Sequence, residues 1–245
     1  MTGTLLNVAT VILGGTLGTL LGDRLPEKVR ETVMHGLGLV TILVGMQLAL
    51  KTQNVLILLG SILLGGMAGE LLRLDDGLNA LGNWLERRLA GTGSGEQEAG
   101  SSTPSLEPPA STFSRGFVTA SLVFCVGPMT IMGSIQDGLT GDFSTLAVKS
   151  MLDGFAALAF ASSLGWGVIA AALTVLIYQG GLTLSAGLAK AVLTDAMVLE
   201  MTATGGILIV GIGLALLEIK RLRVANLLPA IFIAPLAVAL TSRLF

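Results

Sequence analysis

Hydrophobic residues along this chain fall into eight long runs separated by short polar segments. The runs cover residues 3 to 22, 33 to 50, 54 to 72, 116 to 136, 147 to 164, 166 to 188, 203 to 219 and 225 to 243. Most are close to the roughly 20 residues that an α-helix needs to cross the hydrocarbon core of a bilayer. The pattern therefore predicts an all-α, polytopic bundle of seven or eight transmembrane helices.

Two polar segments have a structural character of their own. After the third run, the segment LDDGLNALGNWLERRL repeats leucine and tryptophan at helical spacing, which is typical of an amphipathic helix lying at the membrane interface. Residues 190 to 202 carry Asp195 and Glu200 among apolar residues, which indicates an interfacial or re-entrant piece.

A polar stretch near the middle divides the chain. Residues 91 to 112 are rich in Gly, Ser, Pro and Glu and hold too few apolar residues to form a core. They predict a flexible linker between a first membrane half, residues 1 to 90 with the amphipathic helix, and a second membrane half, residues 113 to 245.

Basic residues are distributed unevenly between the two sides of the predicted bundle. With the N-terminus outside and eight crossings, ten of the 14 basic residues fall inside and four, Lys51, Lys149, Lys190 and Arg243, fall outside. Cytoplasmic loops carry the excess of Lys and Arg, so the count favours both termini outside. The basic residues assigned to the inside are Arg24, Lys28, Arg30, Arg73, Arg87, Arg88, Arg115, Lys220, Arg221 and Arg223.

The fourth run contains a Gly127-Pro128 pair that breaks it, followed by a polar sequence, TIMGSIQDGLTGD. Proline donates no backbone hydrogen bond and glycine weakens a helix, so the pair leaves backbone carbonyls without helical partners. Such backbone persists at membrane depth only where it is buried in protein or lines a watered cavity. The break therefore predicts a half-helix built around a binding site.

A weak internal match relates the two halves. Residues from Ile12 align with residues from Thr130, which pairs Gly15 with Gly133 and His35-Gly36 with Asp153-Gly154. If this match is a duplication, the charge distribution gives the two units inverted topology, a recurrent plan of transporters. A chance match in a glycine-rich apolar chain is the alternative.

Composition narrows the class of protein further. Hydrophobic residues make up 52% and charged residues 12% of the chain, and the mean hydropathy is +0.83, which excludes an ordinary soluble domain. The formal net charge of −2 gives no indication of nucleic-acid binding. A single cysteine and a single histidine argue against a disulfide and against a metal site of the usual kind.

Several segments together resemble a known family. They are GTLLN at residues 3 to 7, GDRLPEKVRETVMHGLGL at 22 to 39, GSILLGGMAGELLRLDDGLNALG at 60 to 82, GPMTIMGSIQDGLTGD at 127 to 142 and KSMLDGFAALAFASSLGWGV at 149 to 168. The chain is similar in these to the bacterial integral membrane proteins grouped as domain of unknown function 554. The resemblance implies a multispanning protein of the bacterial inner membrane and carries over no site residue.

The candidate solute- or ion-binding residues surround the break or lie inside the runs. The primary candidates are Gly127, Pro128, Thr130, Ser134, Gln136, Asp137 and Asp153; the secondary candidates are Asn7, His35, Glu70, Thr202 and Thr204. Asp153 leads because an acid inside a membrane span is expensive and marks a functional site by default. The alternative is a carboxylate near the mouth of the span, solvated or paired with Lys149.

The other candidates have structural alternatives of comparable weight. Asp142, in the same turn as Asp137, is better suited to capping the next helix than to binding a ligand. Glu70 ends a span within reach of Arg73 and fits an interfacial ion pair. A lone histidine such as His35 is more often a structural residue than a proton carrier.

Glycines recur every fourth residue at two places, Gly14, Gly18 and Gly22 in the first run and Gly65 and Gly69 in the third. This spacing indicates close helix packing, either within the chain or between protomers of a homo-oligomer.

Two functions of different class follow from these features. A transporter or channel for an ion or small organic solute is favoured, with the acids pointing to cation or proton coupling and the half-helix to an anion as the alternative. The other is a structural or assembly protein that uses the glycine faces and moves no solute. The sequence has no HExxH, GxSxG or GxxxxGK[ST] motif, so we expect neither an enzyme nor a nucleotide cofactor.

Overall fold

The computed structural model describes residues 1–22, 24, 26–89, 112–220 and 222–244, and every element in these ranges is helical. The helices are α1 (Thr2–Gly22), α2 (Glu27–Ala49), α3 (Val55–Leu72), α4 (Leu74–Leu89), α5 (Thr112–Val126), α6 (Pro128–Thr140), α7 (Ser144–Leu164), α8 (Gly167–Leu184), α9 (Ala186–Val192), α10 (Asp195–Leu216) and α11 (Pro229–Leu244). A short 3-10 turn, Val224–Leu227, precedes α11.

Seven helices in the described ranges are long and apolar enough to cross a membrane. The α5 and α6 pair, bent by 61°, makes an eighth crossing if the two are taken as one span. Large apolar side chains such as Leu13, Leu17 and Leu63 are more than half exposed, as expected where lipid replaces water at the surface. The predicted all-α membrane bundle is confirmed.

Contacts at the two ends of the bent α5–α6 pair show its direction through the bundle. Ser114, at the start of α5, donates a hydrogen bond to Asn79 of α4 (3.2 Å). Asp137, near the end of α6, pairs with the amino group of Met1 (2.9 Å). Since α4 follows the C-terminal end of α3 and Met1 precedes α1, the pair joins opposite ends of the bundle.

The turns consequently alternate between the two ends of the bundle. The first end holds Met1, the α2–α3 turn and the α6–α7 turn, and the second end holds the α1–α2, α3–α4 and α10–α11 connections. Among the basic residues predicted to lie inside, Arg24, Arg73, Lys220 and Arg223 are in turns of the second end. The predicted separation of basic residues is therefore present in the fold, apart from Lys149, which is 5% exposed inside α7 rather than in an outer loop.

Impermeant thiol labelling of intact cells tests which end faces the cytoplasm. In a chain whose Cys125 is replaced by alanine, Ser144→Cys at the first end is expected to react and Gly100→Cys in the predicted linker is not. The reason is that basic residues are concentrated at the second end, and loops rich in Lys and Arg stay in the cytoplasm. Reaction at position 100 without reaction at position 144 would reverse the orientation.

Most of the apolar core lies where α5, α7, α8 and α10 meet. Helix α10 is the most central, since 72% of its most apolar stretch is buried. Helix α1 packs along α7, and α2 packs along α10, so helices from both sides of residues 91 to 112 form one bundle. The predicted linker itself lies outside the described residues except for Thr112, which starts α5.

Both groups of glycines with four-residue spacing make close helix contacts, and both contacts are within the chain. A Cβ on Gly14, Gly18 or Gly22 of α1 would overlap a backbone carbonyl oxygen of α7. In α3, a Cβ on Gly65 would overlap the backbone of Ala230 in α11, and one on Gly69 would overlap that of Asn226 in the 3-10 turn before α11. The predicted close-packing faces are confirmed, and this chain's own helices occupy them.

The segment predicted to be interfacial or re-entrant, residues 190 to 202, is not a separate element. Helix α9 ends at Val192, and Asp195 begins α10, whose start is capped by the Thr194 hydroxyl accepting from the backbone N–H of Met197 (3.3 Å). Glu200 therefore lies in the second turn of a membrane-spanning helix. The helix that contains the seventh apolar run therefore begins eight residues before the run itself.

Candidate functional site

The Gly127-Pro128 break is present, and a nearby side chain replaces the backbone hydrogen bond lost there. Helix α5 ends at Val126, Gly127 is extended (φ −66°, ψ 149°), and Pro128 opens α6. Because proline has no N–H, the carbonyl of Phe124 loses its helical donor, and the Thr130 hydroxyl donates to it instead (3.0 Å). The predicted half-helix is confirmed. The Thr130 hydroxyl is occupied by this hydrogen bond to the backbone.

A set of polar side chains lies inside the bundle between α1, α7 and α8. The side-chain nitrogen of Asn7 donates to Oδ2 of Asp153 (2.9 Å) and to Oε1 of Gln179 (2.9 Å). Asn7 and Gln179 are fully buried, and Asp153 is 8% exposed. Helix α1 and the consecutive helices α7 and α8 thus converge on the side-chain amide of Asn7.

An ion pair completes this set. Lys149, one turn before Asp153 on α7, pairs with Oδ2 of the carboxylate, and its side chain is 6% exposed against 12% for that of Asp153. An α-helix rises about 1.5 Å per residue, so Asp153 lies roughly 13 Å inside α7 from its start. Asp153 is therefore paired with Lys149, as the alternative predicted, but deep in the span rather than at its mouth.

The network continues towards the first end through hydroxyl groups. The amide nitrogen of Gln179 donates to the Thr4 hydroxyl (3.3 Å), and Thr4 and Thr183 lie 3.3 Å apart through their hydroxyl oxygens. Thr183 in turn donates to the carbonyl of Gln179 (2.9 Å). We call the six residues that form this network the intramembrane polar cluster: Thr4, Asn7, Lys149, Asp153, Gln179 and Thr183.

Asp137 flanks the cluster on the side of the first end. It is 4% exposed and accepts from the backbone N–H of Gly3 (3.2 Å) in addition to pairing with the Met1 amino group. Its neighbour Gly138 packs so closely on α8 that a Cβ there would overlap the carbonyl of Thr183. The half-helix α6 therefore adjoins the cluster near Thr4 and Thr183.

Gln136 faces another way. Its amide donates to Asp142 (2.7 Å) and accepts from the Thr145 hydroxyl (3.0 Å), within the α6–α7 turn. Asp142 also accepts from the backbone N–H of Ser144, the first residue of α7, which lowers the pKa of its carboxyl. Asp142 thus has the predicted capping role, and Gln136 braces the same turn away from the cluster.

Three hydroxyl candidates line the interior near the break. Ser134 and Thr204 are fully buried, and neither hydroxyl has a hydrogen-bond partner among the described residues. Thr202 donates back to the carbonyl of Val198 (2.7 Å). Since a Cβ on Gly205 would overlap Val126, this part of α10 meets the end of α5.

Two secondary candidates lie away from the cluster. His35 is exposed on α2. Glu70 has a side chain that is 59% exposed and forms an ion pair at the second end, with Arg223 (2.9 Å) rather than the predicted Arg73. Asn226 also donates to it (2.6 Å). The interfacial ion-pair interpretation of Glu70 holds with a different partner.

Sequence reasoning did not select Gln179 or Glu200. Gln179 is the one amide in an otherwise apolar run, and that isolation was the available signal. Glu200 is 3% exposed and accepts from the Thr52 hydroxyl (2.7 Å) and from the backbone N–H groups of Gln53 (2.7 Å) and Asn54 (3.1 Å). It anchors the turn before α3 onto α10, which is a structural role.

The fold and the cluster define a polytopic helical membrane protein with a buried ion pair. Residues 2–239 match the family described as "Protein of unknown function (DUF554)", and the chain belongs to that family. This confirms the resemblance found in its sequence segments.

Two relatives are similar over nearly their whole lengths. "Uncharacterized protein YqgA" of Escherichia coli (strain K12) is 34% identical, with 98% of this chain and 97% of that protein aligned. "Uncharacterized membrane protein YdfK" of Bacillus subtilis (strain 168) is 27% identical, with 97% and 96% aligned. No solved structure matches this chain.

Proposed function

We propose that this protein is a transporter of the bacterial inner membrane that moves an ion or small organic solute, coupled to a cation or a proton, without chemically transforming it. The observation that carries the proposal is the Lys149–Asp153 pair, buried with Asn7 and Gln179 inside the bundle. Replacing a buried ion pair by packed apolar residues is often neutral or stabilising, so stability alone does not account for it. Charged groups inside spans commonly mark solute or ion pathways.

The position of the cluster beside a half-helix supports the same function. Transporters commonly bind their solute where a discontinuous helix adjoins polar side chains, because the helix end contributes oriented backbone groups. Here α6 begins at the break and reaches Asp137 and Gly138, which contact α1 and α8 next to Thr4 and Thr183. The buried hydroxyls of Ser134 and Thr204, which have no hydrogen-bond partner among the described residues, add further polar groups inside the bundle.

The order of helices supports alternating access between inverted repeats. Helices α1 to α3 are followed by the amphipathic α4 at the second end, and α6 to α8 are followed by the short α9 at the first end. This order is the one expected of two units, each of three helices and a terminal helix, with opposite orientations in the membrane. In such a pair, exchanging the conformations of the units opens one side and closes the other.

The assembly alternative is less well supported. It needs glycine faces that are free to bind a partner. In the structure, Gly14, Gly18 and Gly22 contact α7, and Gly65 and Gly69 contact α11 and the 3-10 turn before it. A homo-oligomer would have to use other surfaces.

Proteoliposomes carrying a neutralised pair test the proposal. In Lys149→Gln/Asp153→Asn, both charges are removed together and hydrogen-bonding groups remain, so folding is expected to persist while solute-driven ion or proton movement falls at least tenfold. Asp153→Asn alone is less informative, because it leaves Lys149 buried without its carboxylate. The readout is the pH change inside the vesicles, measured with a trapped dye, on addition of pooled amino acids, organic acids or salts.

The matched control is Lys190→Gln/Asp142→Asn. It also removes one base and one acid, from exposed positions near the first end. Its flux is expected to equal that of the unmodified protein. Equal flux in the unmodified protein and in the Lys149→Gln/Asp153→Asn variant would remove the cluster from transport and refute the proposal.

A further inference from the structure

The charge balance of the intramembrane polar cluster restricts what it can bind. Lys149 and Asp153 carry its two formal charges, which cancel, and both side chains are almost completely buried. Adding a free cation to this site would leave a net positive charge, and adding a free anion would leave a net negative one. Because uncompensated charge is costly in a low-dielectric interior, the cluster favours a ligand whose own charges cancel.

The hydrogen bonds of Asn7 add an independent restriction. Its nitrogen donates to Asp153 and to Gln179, an arrangement that fixes the orientation of the amide. Its carbonyl oxygen, Oδ1, is buried and has no hydrogen-bond partner in the described part of the chain. A buried acceptor left unpaired is unfavourable, so the site is completed by a ligand that brings a hydrogen-bond donor.

The carboxylate of Asp153 also has one oxygen that accepts no hydrogen bond from the described residues. Both the Lys149 ammonium and the Asn7 amide donate to Oδ2 of Asp153. No described residue donates to Oδ1 of Asp153. The free acceptors of the cluster are thus Oδ1 of Asp153 and Oδ1 of Asn7, while its one mobile donor is the ammonium at the end of the flexible Lys149 side chain.

We infer that the solute is a small zwitterion carrying one carboxylate and one ammonium group, such as a neutral amino acid; this inference rests on the proposed transport function. The ligand carboxylate pairs with Lys149, and the ligand ammonium donates to Asp153 and to Oδ1 of Asn7. The site is then electrically neutral both empty and loaded. Binding exchanges an internal ion pair for two ion pairs with the ligand, which makes occupancy reversible.

One other ligand would also keep the site neutral. A monovalent organic anion taken up together with a proton on Asp153 leaves Lys149 paired with the anion. The anion itself brings no donor for Oδ1 of Asn7, so the observed orphan acceptor favours the zwitterion.

Counterflow in proteoliposomes distinguishes these ligands. Vesicles are preloaded with one of three unlabelled solute sets, and uptake of the same labelled solutes is measured. The zwitterions are glycine, L-alanine, L-leucine and γ-aminobutyrate; the anion is propionate; the cation is n-propylammonium. We expect saturable uptake of at least one zwitterion, at least tenfold above Lys149→Gln/Asp153→Asn, and no uptake of propionate or n-propylammonium above empty vesicles.

The melting temperature of the purified protein in detergent supplies a readout that needs no reconstitution. A ligand that binds the folded state raises this temperature, so the transported zwitterion is expected to raise it in the unmodified protein and in Lys190→Gln/Asp142→Asn, and not in Lys149→Gln/Asp153→Asn. Asn7→Leu removes the unpaired acceptor. In this variant, the ligand concentration needed for the same rise in melting temperature is expected to increase more than tenfold.

The possible failures are distinguishable. Uptake of propionate or n-propylammonium without any zwitterion would overturn the inference and leave the transporter proposal standing. Uptake of none of these solutes together with a cluster-dependent proton or ion flux would do the same. Absence of both uptake and flux would refute the transporter proposal itself.

Discussion

Replacing Lys149 alone by glutamine is expected to lower the free energy of unfolding by about 3–5 kcal/mol, the usual cost of removing one partner from a buried ion pair. The carboxylate of Asp153 would then be held inside the bundle by the Asn7 amide without a compensating charge. Asp153→Asn alone is expected to cost a similar amount, because the Lys149 ammonium is the more deeply buried of the two side chains. The free energy is measured by titration with sodium dodecyl sulfate in mixed micelles.

The Lys149→Gln/Asp153→Asn variant is expected to recover most of this loss, since it leaves no uncompensated charge in the bundle. The double-mutant cycle therefore gives a large coupling energy between the two positions. An exposed pair would behave differently, with each single substitution costing about 0–1 kcal/mol and a coupling of the same small size. Small and additive effects would show that the pair is solvated and would contradict its burial inside the bundle.

The hydropathy pattern was sufficient to predict the membrane helices but not all of their ends. Each apolar run contains a helix, and the fourth and sixth contain parts of two, because a segment in lipid must satisfy its own backbone hydrogen bonds. The hydropathy pattern places the start of α10 too late, because Glu200 interrupts the apolar residues there. Its charge is accommodated by the Thr52 hydroxyl and two backbone N–H groups of a turn that lies about 150 residues away in sequence, a contact that no local pattern reports.

The candidate site was predictable in part for the same reason. Asp153 and the break at Gly127 could be selected locally, because an acid or a Gly-Pro pair is unusual within an apolar run. Whether Lys149 lay at an interface or in the interior depended on how α1 covers α7, which is a tertiary property. Gln179 joins the site through Asn7, 172 residues before it, so its role became visible only in the folded bundle.

The glycine spacing of α1 predicts a close helix contact, and the structure identifies α7 as the partner. That contact also positions the intramembrane polar cluster, because the same two helices carry Asn7 and the Lys149–Asp153 pair. Substitutions in this contact are therefore expected to act on both stability and the site.

Gly18→Ala is expected to destabilise the protein by about 1–3 kcal/mol, the usual cost of overpacking a close contact. The added Cβ would overlap the backbone carbonyl oxygen of Leu158, which cannot turn aside as a flexible side chain would. Helix α1 must then move away from α7. This displacement is expected to weaken the hydrogen bond between Asn7 and Asp153 and to reduce flux in proteoliposomes along with stability.

Gly36→Ala provides the matched control, since Gly36 lies inside α2 and a Cβ there would meet no atom within 4 Å. The same chemical change is expected to stabilise the protein at this position by up to about 1 kcal/mol, because alanine loses less backbone entropy than glycine on entering a helix. Opposite signs for the two substitutions, measured in the same detergent titration, separate close packing from helix propensity. If Gly18→Ala also proved neutral or stabilising, α1 and α7 could not be in backbone contact, and the alignment of Asn7 with Asp153 would lose its structural basis.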